Sequence, residues 1–344
     1  MVLTRCADIE ERPLELVDIR RPEPKDNEVL LKVLACGVCH TELDEIEGRL
    51  KPSKLPIVLG HEIVGEIVEK GPGAKSLDIG QRVGVTWLNS SCGQCRFCKS
   101  GRENLCIRAK WTGLDVDGGY AEFTVAPESF AYPIPANFSD AEAAPLLCAG
   151  VIGYRAIRLA NIEDGDVIGL YGFGASAHIV IQVLRHKYPE SKVFVFTRSG
   201  EHRELARQLG AEWAGPSTPC GRSGQWGPED EPPGRLNKVI DFTPMGETIK
   251  RALEASEKGA TVVINAIRKT TAVPELDYAE HLWHEREIKS VANVTAQDAR
   301  EFLPLAAKIP IKPHVEEFGL AEANQVLLKL RNGLINGAAV ITIR

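Results

Sequence analysis

Positive charge is not in excess in this sequence. Its 344 residues carry 41 Lys and Arg against 47 Asp and Glu, a formal net charge of -6. A broad nucleic-acid surface needs a basic surplus, so that class of function is excluded. No apolar run approaches the roughly 18 residues of a membrane-spanning helix. The opening stretch, MVLTRCADIEERPLELVDIR, holds acidic groups and no apolar core, unlike a secretory signal. A cytoplasmic protein without membrane association is therefore expected. No internal repeat is found. The remaining composition, 44% hydrophobic and 26% charged, is that of a globular chain. It is too long for one ordinary core, so two domains are expected.

Cysteine, by contrast, is plentiful. There are nine, and an odd number fits poorly with a complete disulfide framework. In a reducing compartment, clustered cysteines bind metal more often than they pair. Four of them, Cys92, Cys95, Cys98 and Cys106, follow the spacing C-x2-C-x2-C-x7-C. Two-residue gaps let successive thiolates converge on one ion, which points to a closed tetrahedral zinc site. Its rivals are an iron–sulfur cluster and free loop thiols. Zinc held by four sulfurs has no open position, so this site pins a loop and does not act on substrate.

The two halves of the chain are patterned differently. Residues 28–36 and 62–69 have strand character, glycine and proline punctuate the region to Gly84, and few helical periods appear before about residue 140. This half reads as a β-rich domain. Beyond Cys148, short apolar strands (166–171, 192–197, 238–242, 260–266, 287–293) alternate with helical segments (177–188, 201–211, 246–256). That alternation predicts a doubly wound parallel sheet. Residues 215–235, rich in Gly, Pro and Ser, read as an inserted surface loop. Helices are expected near 296–307 and 320–332, and a final strand at 338–343.

Three further pieces, CGVCHTELD (36–44), GHEIVG (60–65) and LLCAG (146–150), hold cysteine, histidine and carboxylate beside glycine at expected strand ends. Such a set makes an open zinc site. Together with GVCHTE, GHEIVGEIVEKG, the four-cysteine lobe and LLCAGVIGYRAI, in that order, the chain resembles the zinc-dependent medium-chain alcohol dehydrogenases over essentially its whole length. The resemblance implies an α/β protein with a β-rich GroES-like catalytic domain (1–149 and 291–344), carrying the structural zinc lobe, and a Rossmann cofactor domain (150–290). It implies two zinc ions per chain. Cys39, His61 and Cys148 become the catalytic zinc ligands, with Glu62 approaching the metal during ligand exchange. Thr41 takes the substrate proton, His40 contacts the pyrophosphate and joins the proton path, and Glu42 accepts from a ligand histidine. Asp44 stands where the family often has histidine at the outer end of the proton relay, so either Asp44 or water receives the proton.

The cofactor motif is legible from the residues. Gly172, Gly174 and Ala177 match G-x-G-x-x-A between a strand and a helix, with Ala175 in the same turn. The helix-start amides face the pyrophosphate of a dinucleotide. An acidic residue at the next strand end would mark NAD. Here Thr197, Arg198 and Ser199 stand there with Arg203 following, which favours NADP over NAD. Glu201 and Glu204 are the counterweight. Ala338 and Ala339 stand where relatives often carry an arginine for the cofactor phosphates.

By the same resemblance, Trp87, Leu88 and Trp111 narrow an apolar substrate pocket. The implied reaction is reversible hydride transfer between a primary or small secondary alcohol, as a zinc alkoxide, and NAD(P), giving aldehyde or ketone. A polyol or formaldehyde-type zinc dehydrogenase is the alternative, and a non-catalytic zinc/Rossmann regulator a remote one. A homodimer or homotetramer is expected, with residues 260–273 as the joining edge.

Overall fold

The computed structural model describes residues 1–217 and 231–343. They form two compact units, Met1–Val151 with Asn293–Arg344, and Ile152–Ala292.

The first unit is built on a mostly antiparallel sheet in the order Ala131–Pro133, Arg82–Val85, Glu62–Lys70, Glu28–Val38, Ala338–Thr342 and Val315–Gly319. Phe123–Pro127 also pairs with Glu28–Val38. The central strand is buried along most of its length, and Val29, Leu31, Val33, Ile63, Ile67, Val83 and Ile341 join one apolar core. Register decides what this sheet presents. Gly37 lies opposite Glu62 and Cys36 opposite Ile63. In an antiparallel pair the end of one strand meets the beginning of the other. Cys39 leaves Glu28–Val38 at the same sheet end where His61 enters Glu62–Lys70.

Cys148 arrives by another route. Ser139 caps the helix Asp140–Ala143, and Glu142 closes the capping box on the Ser139 amide. Pro145 lies in the following 3₁₀ turn, Ala144–Leu147. Cys148 then has non-helical backbone, φ -125° and ψ -74°, before the helix Ala149–Ala160 begins. It therefore stands at a break between helical segments, not at the strand end expected. Thr41 likewise lies inside the helix His40–Ile46. The helical stretch Asp140–Ala160 is long and apolar enough to cross a membrane, but its most apolar window is 67% buried, as in a core helix.

The second unit has a six-stranded parallel sheet in the order Trp213–Gly215, Lys192–Phe196, Val167–Tyr171, Leu236–Asp241, Ser256–Ile264, Glu287–Ser290. The order reverses between Val167–Tyr171 and Leu236–Asp241, and ligands of such sheets bind at that switch point. Ser256–Ile264 is paired on both sides. It is not the edge that the sequence suggested. Its apolar residues serve two covered faces, as in any interior parallel strand, and the edge on that side is Glu287–Ser290. Trp213–Gly215 is too short, at three residues, to be read from sequence, and Val315–Gly319 is hidden by its two glutamates and half-buried pattern. The proposed loop at 215–235 falls largely outside the described residues; Gly215 ends a strand and Leu236 begins one.

Candidate active site

The four-cysteine lobe is local. Cys95 caps the short helix Arg96–Lys99, which carries Cys98. Cys95 Sγ lies 3.5 Å and Cys92 Sγ 3.9 Å from Cys98 Sγ. A disulfide would bring them to about 2.05 Å. A tetrahedron with zinc–sulfur bonds of about 2.3 Å has edges of roughly 3.8 Å, which these spacings match. An iron–sulfur cluster spreads its cysteines over separate irons and fits less well. Main-chain N–H groups of Gln94 and Cys95 point at Cys92 Sγ and hold its thiol down to about 5.

The second cluster is assembled from distant residues. Donor atoms of Cys39, His61, Glu62 and Cys148 all lie within 4.8 Å of one another. His61 and Glu62 are buried, while Cys39 and Cys148 keep partial exposure. Glu42 ties two of these groups. Its Oε2 accepts from the Cys39 amide at 2.8 Å, and its Oε1 lies 2.6 Å from His61 Nδ1. Gly37 makes room for Glu62, since a Cβ there would come within 1.9 Å of Glu62 Oε2. Thr41 Oγ1 lies 3.5 Å from Cys39 Sγ.

These donors fit a divalent metal. His61 Nε2 is buried with no hydrogen-bond partner. A hydrogen bond from the Cys148 thiol pulls Cys39 well below the ordinary thiol range, and the same bond, with burial, pushes Cys148 up. Burial, then the Cys39 thiolate, pushes Glu62 up. Burial works against protonated His61, yet Glu42 and Cys39 raise it overall. Two thiols, an imidazole and a carboxylate thus compete for protons in one pocket. Such a donor set, with its bare nitrogen, is what a zinc ion would satisfy.

Two residues around this cluster were not found from sequence. Asp44 is buried and Arg49 Nε donates to it at 2.5 Å. Arg49 also pairs with Glu47. Glu45 is fully buried, neither carboxylate oxygen has a hydrogen-bond partner, and burial pushes its carboxyl well up. Glu42, Asp44, Glu45 and Glu47 all fall in the helix His40–Ile46 or just beyond it, and their spacing alone does not show which of them face inward. His40, at the start of that helix, is exposed.

Trp87 lies with its ring centroid 5.8 Å from His61 and 5.1 Å from Trp111. Leu88 is opposite Trp111 in a two-stranded ladder and is 1% exposed. An indole wall therefore stands beside His61. A surface cavity of about 760 Å³ elsewhere in this unit, between Leu16–Arg21 and Glu317–Glu322, contains none of these groups.

In the second unit, Val167–Tyr171 runs into Gly172, whose φ of +83° favours glycine. The helix Ala177–Lys187 follows. Gly174 is exposed, and a Cβ there would meet nothing within 4 Å. The protein itself leaves that space open beside Ala175, as close approach of a pyrophosphate requires. At the end of Lys192–Phe196, Thr197 is buried and Arg198 exposed. Ser199 caps the next helix by accepting from His202 N at 3.3 Å. Arg203 donates to the Thr197 and Arg198 carbonyls at 2.9 and 3.1 Å, so its guanidinium is anchored at the strand end. Ala338 and Ala339 are buried in the first unit's sheet.

Residues 25–136 match the family described as alcohol dehydrogenase GroES-like domain. The chain is 43% identical to a probable alcohol dehydrogenase, AdhA, of Mycobacterium tuberculosis, over 98% of this chain and 95% of that one. It is 34% identical to an alcohol dehydrogenase of Geobacillus stearothermophilus, over 97% of each. Among solved structures, acetophenone reductase from Geotrichum candidum, in complex with NAD, superposes with a TM-score of 0.84 at 28% identity, covering 96% of this chain and 94% of that one.

Proposed function

The chain belongs to the zinc-dependent medium-chain alcohol dehydrogenase family, and we propose that it interconverts primary or small secondary alcohols with aldehydes or ketones, using NAD(P) with some preference for NADP. The observation that carries this reading is the convergence of Cys39, His61, Glu62 and Cys148 around a bare, buried His61 Nε2. Zinc, when bound, supplies a Lewis acid that eases loss of the substrate hydroxyl proton. Cys39, His61 and Cys148 would hold it, and Glu62 would exchange with them. Glu42 fixes the His61 ring through Nδ1 and the Cys39 main chain through its amide. Thr41 Oγ1 accepts the substrate proton and passes its own to His40, exposed on the same helix; Asp44, held by Arg49, is the second acceptor there. Trp87 and Trp111, with Leu88 paired across the ladder from Trp111, favour apolar substrates. The test is a panel of alcohols and aldehydes with both cofactors, before and after chelation. Turnover that survives complete zinc removal would refute the reading.

The NADP preference rests on Arg198. A charge-assisted bond to a 2′-phosphate contributes about 1.5–3 kcal/mol, roughly ten- to a hundredfold in affinity. Arg198→Ala should raise the KM for NADP(H) about tenfold or more and leave that for NAD(H) within a few-fold. A wild-type protein that prefers NAD would instead direct attention to Glu201 and Glu204. We also infer a cytoplasmic homodimer or a tetramer of dimers, with Glu287–Ser290 as the edge that can extend its sheet to a second copy. A monomeric mass in light scattering at micromolar concentration would exclude this.

A further inference from the structure

The second unit holds another ligand set that shares no residue with the cofactor motif. The helix Glu247–Glu254 ends on Glu254, and the turn Tyr278–Leu282 carries Glu280 and His281 in succession. Donor atoms of the three side chains lie within 4.8 Å of one another. Glu254 and Glu280 are exposed, and exposed acidic pairs alone signify little. The informative group is His281, which is 1% exposed.

His281 Nδ1 lies 2.9 Å from the Asp277 carbonyl oxygen. A carbonyl only accepts, so Nδ1 carries the proton. The other nitrogen, Nε2, is buried, has no hydrogen-bond partner, and lies 3.6 Å from Glu254 Oε1. That separation exceeds the roughly 2.7–2.9 Å of a charge-assisted hydrogen bond. It is close to the spacing of two ligands on one ion: bonds of about 2.0–2.1 Å at a tetrahedral angle put ligand atoms roughly 3.3–3.4 Å apart. A ring that donates its far N–H to a main-chain carbonyl is how metal-ligating histidines are oriented. Charge points the same way. Glu254 places its carboxylate at the negative end of its own helix, with Glu280 nearby, and a cation there offsets both.

We propose that Glu254, Glu280 and His281 form a third divalent-metal site, which takes zinc or a similar borderline ion and clamps the helix end to the turn. One nitrogen and two carboxylates favour such ions over calcium or magnesium. Water completes the coordination. The site is independent of the hydride-transfer reading.

The test counts metal in protein equilibrated with micromolar free zinc. One zinc per chain is expected beyond those in the thiolate sites. Glu254→Gln and Glu280→Gln, at exposed positions, each remove a ligand charge and should weaken its binding by at least the roughly ten- to a hundredfold that loss of an outer partner costs. Cys148→Ser should retain it. Cobalt(II) at this site should bind without the sulfur-to-metal absorption that a thiolate site gives. Equal metal content in the wild type and both glutamine variants would overturn the proposal. So would a nitrogen NMR signal showing His281 Nε2 protonated in the zinc-equilibrated protein.

Discussion

The lobe at residues 92–106 and the cluster around His61 each gather four side chains able to hold a metal, but by opposite means. The lobe draws all four from fifteen consecutive residues, uses only sulfur, and is steadied by its own main-chain amides. The His61 cluster draws on a strand end, a strand start and a helix break spread from residue 39 to 148. It mixes sulfur, nitrogen and oxygen, and surrounds them with buried Glu42 and Glu45. A local, uniform set saturates an ion and organises a loop. A non-local, mixed set can leave a coordination position free, but it stands only if the whole sheet holds its register. The second arrangement concentrates like charge that only a cation and precise neighbours can offset.

Substitutions can break or sharpen that contrast. The largest effect is expected from Cys148→Ser, which should take turnover below detection while near-UV circular dichroism stays native. Full activity in a folded variant lacking that zinc would end the assignment. Glu42→Gln should come next. It keeps the shape but removes the charge facing His61, and losing such a partner typically costs about ten- to a hundredfold in metal affinity or activity. Zinc retention during dialysis, measured beside kcat, separates this from a folding defect. An unchanged zinc affinity would show that Glu42 serves only to close the first turn of its helix. The smallest effect on turnover belongs to Cys98→Ser. Activity per folded molecule should stay within a few-fold of wild type, whereas the thermal midpoint should fall, because the lobe's metal contributes to folding. A large loss of kcat with an unchanged midpoint would mean that the lobe is not merely structural.

The same contrast governs what could be read before the fold was seen. The lobe was legible from spacing alone, because its geometry is set within one loop. The turn from Gly172 to Ala177 was legible for the same reason: a strand, a positive-φ glycine and a helix start are neighbours in the chain. Glu42 could be placed near a ligand histidine by resemblance, but its second arm, to the Cys39 amide, follows only from the helix that begins there. Arg49 and Glu45 were missed because nothing in an acidic run tells which members face inward. The sheet edge was misplaced because an apolar β-rich segment marks burial on two faces, and so an interior strand, where an edge was expected.

What this sequence determined by itself is local: the four-sulfur cluster, the glycine turn from Gly172 to Ala177, the alternation that makes the parallel sheet, and a strand end with Arg198 and no carboxylate among residues 197–199. The tertiary structure alone decided the rest. It brought Cys39 and His61 to one end of an antiparallel pair through the Gly37–Glu62 register, and set Cys148 at a helix break beside them. It also set the buried His281 Nε2 3.6 Å from Glu254 Oε1, with Glu280 in the same cluster. Those are distances between residues far apart in the chain, fixed by pairing register and core packing, and no local propensity specifies either one.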